Sequence, residues 1–171
     1  MKGQYFSFDA VVATVIMVIA MTSLAAYWNG TRSVADSRTS PLYADAIRIA
    51  DSLLSPGVPS GWASGPVENV RQFGLADGFS NTLDAGKVAR FGIIANDLSS
   101  GGGYNKTGRI LRATADYLIE IERTDGNDLY LKAGKFYPPS ASEVVVAYRG
   151  VVMTGADGKL HPARLRVFLW R

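Results

Sequence analysis

Few residues in this chain have the type and spacing for catalysis. His161 is the single histidine and there is no cysteine, which excludes thiol nucleophiles, disulfides and metal centres built on cysteine or paired histidines. His161 stands beside Pro162 without a serine and an acid spaced for a hydrolytic triad, and reads as a surface residue. Ser99-Ser100-Gly101-Gly102-Gly103 has the glycine density of a phosphate cradle. It follows a helical pattern instead of a strand, and Lys106 lacks the Gly-Lys-Ser/Thr order, so the run reads as a linker. Asp125-Gly126-Asn127-Asp128 lacks the twelve-residue calcium pattern ending in glutamate and reads as a turn. No catalytic residue, metal or cofactor is expected.

Three groups of residues remain. Met1-Lys2-Gly3-Gln4-Tyr5-Phe6-Ser7-Phe8-Asp9 sets a base and a glycine directly before Gln4, then an acid ahead of a long apolar run. Lys2 would hold a short leader on the cytoplasmic side. Gly3, with no Cβ, lets the backbone enter a narrow protease cleft in extended form. Asp9 is the only formal charge between Lys2 and Arg32, and a carboxylate at the edge of a membrane helix needs a partner or a place in the headgroup layer. Asn29 and Asn105 head Asn-x-Ser/Thr sequons, sites for N-glycans on an external domain, with Asn105 the better candidate because Asn29 lies close to the membrane. Arg164, Arg166, Phe168 and Trp170 alternate on one strand face, where they would contact a DNA backbone and its bases, or face solvent or another subunit; the second reading is preferred.

The elements that must position these residues begin with Ala10 to Thr31, 22 residues without a charge. A hydrocarbon core of about 30 Å is crossed by roughly 20 residues, and Tyr27-Trp28 sits where an interfacial anchor belongs. A cleaved secretory signal has its small-residue site after the apolar run, whereas here the better cleavage signal precedes it. This order resembles the class III signal peptide of archaeal type IV pilin-like proteins. The resemblance implies that a membrane-embedded aspartyl prepilin peptidase cuts between Gly3 and Gln4 and leaves the helix on the mature protein. It also implies that Asp9 meets the N-terminal amine of a neighbouring subunit. The family's acid is usually a glutamate at the fifth mature position and here it is an aspartate at the sixth, so pairing and headgroup placement both stay open for Asp9.

Past the span, Asn29-Gly30-Thr31 is expected to loosen the helix, and a polar stretch from Arg32 to Ser40 leads to Pro41, where helix restarts. Leu42, Ala46, Ile49, Ala50 and Leu53 recur at helical spacing and predict an amphipathic stem helix over 42–54. Prolines and glycines from Ser55 to Pro66 then forbid regular structure. Leu53-Leu54-Ser55-Pro56-Gly57-Val58-Pro59, Trp62, Phe73-Gly74-Leu75-Ala76 and Tyr104-Asn105-Lys106 are similar to the head segment of archaeal pilin-like surface proteins, over roughly residues 50 to 125. Trp62 reads as an aromatic lid on the core.

Helices are predicted from Leu83 to Leu98, with Asp84 in the first turn, and from about Tyr104 to Arg112. From Asp116 the period is two: Tyr117, Ile119 and Ile121 face inward and Glu120 and Glu122 face solvent. Strands follow at Leu129 to Leu131, Glu143 to Thr154 and around Leu165 to Leu169, with turns at 125–127 and 155–158. The fold class is therefore α+β: a long N-terminal hydrophobic helix, as in type IV pilin-like proteins, and an antiparallel β-sheet head packed on helices. The divisions are a leader at 1–3, the long helix and its extension at 4–40, and a head at 41–171.

The net charge of +3 from 18 bases and 15 acids is too small to argue for nucleic acid by itself, although Leu131 to Arg171 holds 7 bases against 2 acids. The functional expectation is a structural subunit of an archaeal type IV pilus-like surface filament, and no enzyme. Its partners would be prepilin peptidase, the membrane and other pilin-like subunits, identical or different, with nucleic acid the less favoured. It would sit in the cell membrane with its head outside the cell before assembly, and in the surface filament afterwards. The alternative is a membrane-anchored surface binding module that does not polymerise, or a minor component of a pilus or secretion assembly.

Overall fold

A computed structural model describes residues 4–78, 81–125, 129–154 and 159–171, with backbone alone at 4–7 and 32–39. The chain divides into two compact units, Met1–Ser40 and Pro41–Arg171. The expected turn residues 126–127 and 155–158 lie outside the described residues.

The first unit is one helix, α1, Gln4–Thr39. It runs unbroken through Asn29-Gly30-Thr31, correcting the expected loosening. The Thr31 hydroxyl donates to the Tyr27 and Trp28 carbonyls at 3.2 and 3.0 Å, holding that turn in helical form. Phe8–Thr31 is long and apolar enough to cross a membrane, and none of it is buried. Its other two threonines also bond back within the helix, Thr14 to the Ala10 carbonyl at 2.8 Å and Thr22 to the Val18 carbonyl at 2.9 Å. Each hydroxyl thus carries its own acceptor, as a polar group in an apolar medium must.

The second unit starts with α2, Pro41–Leu53, in which Leu42, Ala46, Ile49, Ala50 and Leu53 are fully buried. Proline opens it because its missing N–H is no loss in a first turn. A 3₁₀ turn, Trp62–Ser64, interrupts the Pro- and Gly-rich stretch from Ser55 to Pro66, correcting the expectation of no regular structure there, and a second, Val67–Asn69, follows it. The helix expected from Leu83 to Leu98 is shorter. Thr82–Leu83 is a strand, β1, and Asp84 is the N-cap of α3, Ala85–Ala95, its carboxylate accepting from the Lys87 N–H at 2.8 Å. A fourth helix, α4, covers Gly103–Leu111. Arg48 of α2 ties it down by donating to the Leu111 and Arg112 carbonyls at 2.8 and 2.7 Å, which satisfies its orphan C-terminal acceptors.

Four long strands complete the sheet: β2, Asp116–Arg123; β3, Leu129–Gly134; β4, Val144–Thr154; and β5, Leu160–Trp170. The spatial order is β1-β4-β5-β2-β3. β2 to β5 pair antiparallel, but β1 runs parallel to β4, so the sheet is mixed and the wholly antiparallel expectation is corrected. A two-residue strand has no period to betray it. α2 packs across β4 and β5, and α3 packs on β3. Between helices and sheet lie Phe73, Phe91, Tyr117, Ile119, Ile121, Leu165, Val167 and Leu169. Glu120, expected in solvent, is 7% exposed, because bases from both neighbouring strands close over it.

Candidate functional site

Of the expected processing residues, Lys2 and Gly3 lie outside the described residues, and Gln4 contributes only the first backbone position of α1. Asp9 is exposed one turn further on, beside Phe8, which is 70% exposed. The helix that follows is apolar on every side. By length and composition such a helix suits a membrane span or a signal segment.

Arg164, Arg166, Phe168 and Trp170 do share the sheet face opposite the helices, yet the structure does not leave them as a basic stacking surface. Arg166 reaches Glu120 at 3.0 Å and also pairs with Glu122, Arg164 lies 3.7 Å from Glu122, and Lys132 meets Glu120 at 3.0 Å. The register makes this inevitable, because Glu120 stands between Arg166 on β5 and Lys132 on β3. Lys135 and Arg149 likewise find Asp116 and Asp51, each at 2.7 Å. Most of the positive excess of the C-terminal sequence is therefore balanced in space by acids of β2 and α2. Trp170 is 2% exposed, and Tyr137, on the connection after β3, covers both it and Phe168 with ring centroids 6.1 Å apart.

A buried knot below α2 brings together residues 53–57, Trp62 and residues 73–76 of the head-segment resemblance, while Tyr104, Asn105 and Lys106 lie on α4. The Leu75 N–H donates to the Leu53 carbonyl at 2.7 Å and the Ala76 N–H to the Ser55 carbonyl at 3.0 Å, so this strand-like segment satisfies the end of α2. Trp62 donates from Nε1 to the Gly74 carbonyl at 2.8 Å and stands edge-on to Phe73, which stands edge-on to Phe91. Gly57 has φ of +83°, and a Cβ there would meet the Trp62 ring at 2.7 Å; only glycine suits both demands. Trp62 is 2% exposed, placed as a lid and not as a platform for a sugar.

Lys87 completes the knot and was missed in the sequence. It lies 9% exposed, and its Nζ donates to the Pro56 carbonyl at 3.0 Å and the Ala76 carbonyl at 2.7 Å. A lysine on the inward side of a short helix is the one available signal. A cleft of about 570 Å³, lined in part by Pro56, Ser60, Asp77, Asp84 and Lys87, opens beside it. The ammonium there acts as a clasp between two loops.

A second polar cluster joins α4 to β2. Tyr104 and Tyr117 stack at 4.6 Å, and the Tyr104 hydroxyl donates to Asp116 at 2.8 Å. Burial pushes both phenols well above the usual tyrosine range. Asp97 is held below the usual carboxylate range by the Ser99 hydroxyl and by the Gly103 and Ser99 N–H groups, so the glycine-rich linker is a turn organised around that carboxylate. The imidazole of His161 lies 3.9 Å from the Asp125 carboxylate.

The sequons are both helical. Asn29 is exposed within α1, and Asn105 is exposed on α4, but Thr107 of the Asn105 sequon is fully buried. Among the described residues no three His, Cys, Asp or Glu side chains gather as a metal site. Compared with known proteins, the chain matches no family model, no curated protein and no solved structure.

Proposed function

We propose that the chain is a structural subunit of a surface filament of the type IV pilin kind, cut between Gly3 and Gln4 and carrying its head outside the cell. The observation that supports this reading best is α1, exposed through all of Phe8–Thr31 and joined to a unit that has its own core. A helix apolar on every side is provided for twice in such a life, by lipid before assembly and by other helices afterwards. Ala13, Ala20, Ala25 and Ala26 let backbones approach in the second setting. Asp9 supplies a charge for a partner subunit's N-terminal amine. The reading gives the head no catalytic residue, metal or cofactor.

The test is processing and incorporation. The mature N-terminus should be Gln4, and Gly3→Val should leave uncut precursor in the membrane. Asp9→Ala should be cut normally and should enter purified surface filaments several-fold less than the parent, measured by mass spectrometry. A mature N-terminus near Trp28 would overturn the reading. Parent protein that is cut at Gly3 yet absent from filaments would favour an anchored binding module instead.

A further inference from the structure

The cleft beside Lys87 holds polar groups that the knot leaves unused. Its volume of about 570 Å³ falls within the range of small-molecule sites, about 300–1,000 Å³, but such sites are mostly apolar with a few polar groups, and this one reverses the proportion. Ser60, Ser64, Asp77, Asp84 and Lys87 all line it. Only Pro56 and Ala63 add apolar side chains, and Gly61, Gly78 and Gly86 complete the wall. A Cβ at Gly61 or Gly78 would meet nothing within 4 Å, so the cleft is wide at both places.

The backbone fixes these groups in place. Ser60 and Ser64 flank the turn whose Trp62 is anchored in the knot, and the Ser64 N–H donates to the Gly61 carbonyl at 3.2 Å. Ala76 bridges Leu83 antiparallel, with the Asp77 N–H donating to the Thr82 carbonyl at 3.0 Å and the Asp84 N–H to the Leu75 carbonyl at 2.8 Å. The hydrogen bonds already made leave a definite remainder. Asp84 uses Oδ1 on the Lys87 backbone N–H and keeps Oδ2. Lys87 uses two of its three ammonium donors on the Pro56 and Ala76 carbonyls and keeps one. Among the described residues, the Asp77 carboxylate and the Ser60 and Ser64 hydroxyls have no partner.

We propose that this cleft binds a neutral pyranose unit of a glycan through vicinal hydroxyls. A hydroxyl both donates and accepts, so one diol donates to Asp77 and Asp84 and accepts from the Lys87 ammonium and the serines. Other guests match only part of the lining. A phosphate or a carboxylate meets two aspartates against one lysine. A divalent cation meets the ammonium, and among the described residues no three acids gather to ligate it. An amine satisfies the aspartates but sets a second cation before the Lys87 donor. No ring stacks on the sugar, since Trp62 is turned into the core. Its hold is hydrogen bonds for which water competes, which sets the affinity for a single unit at about 1–10 mM. The site goes beyond the filament reading and serves an anchored head equally.

The test is nuclear magnetic resonance on the isotope-labelled full chain in dodecylphosphocholine, a detergent without a sugar headgroup. Methyl α-glucoside, methyl α-mannoside, methyl β-galactoside and N-acetylglucosamine are the probes, each titrated to about 50 mM. At least one should shift the Gly61, Gly78 and Gly86 amides together and saturably, and should move the Lys87 ammonium signal, while the Ile119 amide stays in place. Asp77→Ala should weaken that probe at least about fivefold, with Asp77→Asn, which keeps the shape and one acceptor, between it and the parent. An unchanged Trp62 indole signal in both variants shows that the knot is intact. The absence of a saturable shift with all four sugars would overturn the proposal. So would an equal response to calcium chloride, sodium phosphate or methylammonium chloride, or a sugar response that Asp77→Ala leaves unchanged.

Discussion

Lys87 shows how much of this head rests on single polar groups. Its ammonium bonds two carbonyls that no other group among the described residues reaches, and burial without a partner costs a carbonyl about 1–3 kcal/mol. Lys87→Met, which keeps the apolar stem, should lower unfolding free energy by about 2–3 kcal/mol in urea titration with an unchanged denaturant slope. Asp45 makes the stability acid-sensitive. Burial pulls its carboxyl upward, but the Thr114 hydroxyl, the Arg48 guanidinium and that cation's charge outweigh burial and hold it below its ordinary value of 3.8. A carboxyl depressed in the folded state stabilises above its unfolded pKa, and the contribution drains away as pH falls through the folded one. The stability gap between parent and Asp45→Asn should therefore be full at pH 7 and should shrink below about pH 4, read from urea midpoints across that window.

Among the elements, α2 and the inward faces of β2 and β5 were legible because their periods are long and unmixed: five apolar residues at helical spacing, and Tyr117, Ile119 and Ile121 in alternation. What escaped was set by contacts far away in the chain. Leu83 has the composition of a helix start, but Asp84 prefers to cap, and the residue before it completes β1 against β4. Glu120 follows the solvent pattern of its strand and is covered because Lys132 and Arg166 flank it in register. No spacing within β2 could announce that. The same distance hides Asn96, which looks like an ordinary helix terminus and closes the outer edge of β3, donating to the Lys132 carbonyl and accepting from the Gly134 N–H. Asn96→Ala should cost about 1–2 kcal/mol, two hydrogen bonds' worth, and should speed exchange of the Gly134 amide far more than that of Ile119. Equal acceleration at both sites would mean that the side chain acts on global stability and not on the edge.

At the scale of the whole molecule, the division at Ser40 separates a helix without a core from a head with one. A fragment of residues 41–171 should be soluble and should unfold in one cooperative transition, followed by near-ultraviolet circular dichroism. A fragment beginning after Leu53 should lack fixed tertiary signal, because α2 supplies five fully buried side chains to the core. Folding of that unit has a further consequence at Asn105. The asparagine faces solvent, but the threonine that an N-glycosyltransferase must also read is fully buried on the inward side of the same helix, α4. The finished head is thus no substrate. Were the head of the proposed reading to meet an N-glycosyltransferase, a sugar at Asn105 would be a timestamp, written before the core closes, and its abundance would measure whether transfer or folding came first.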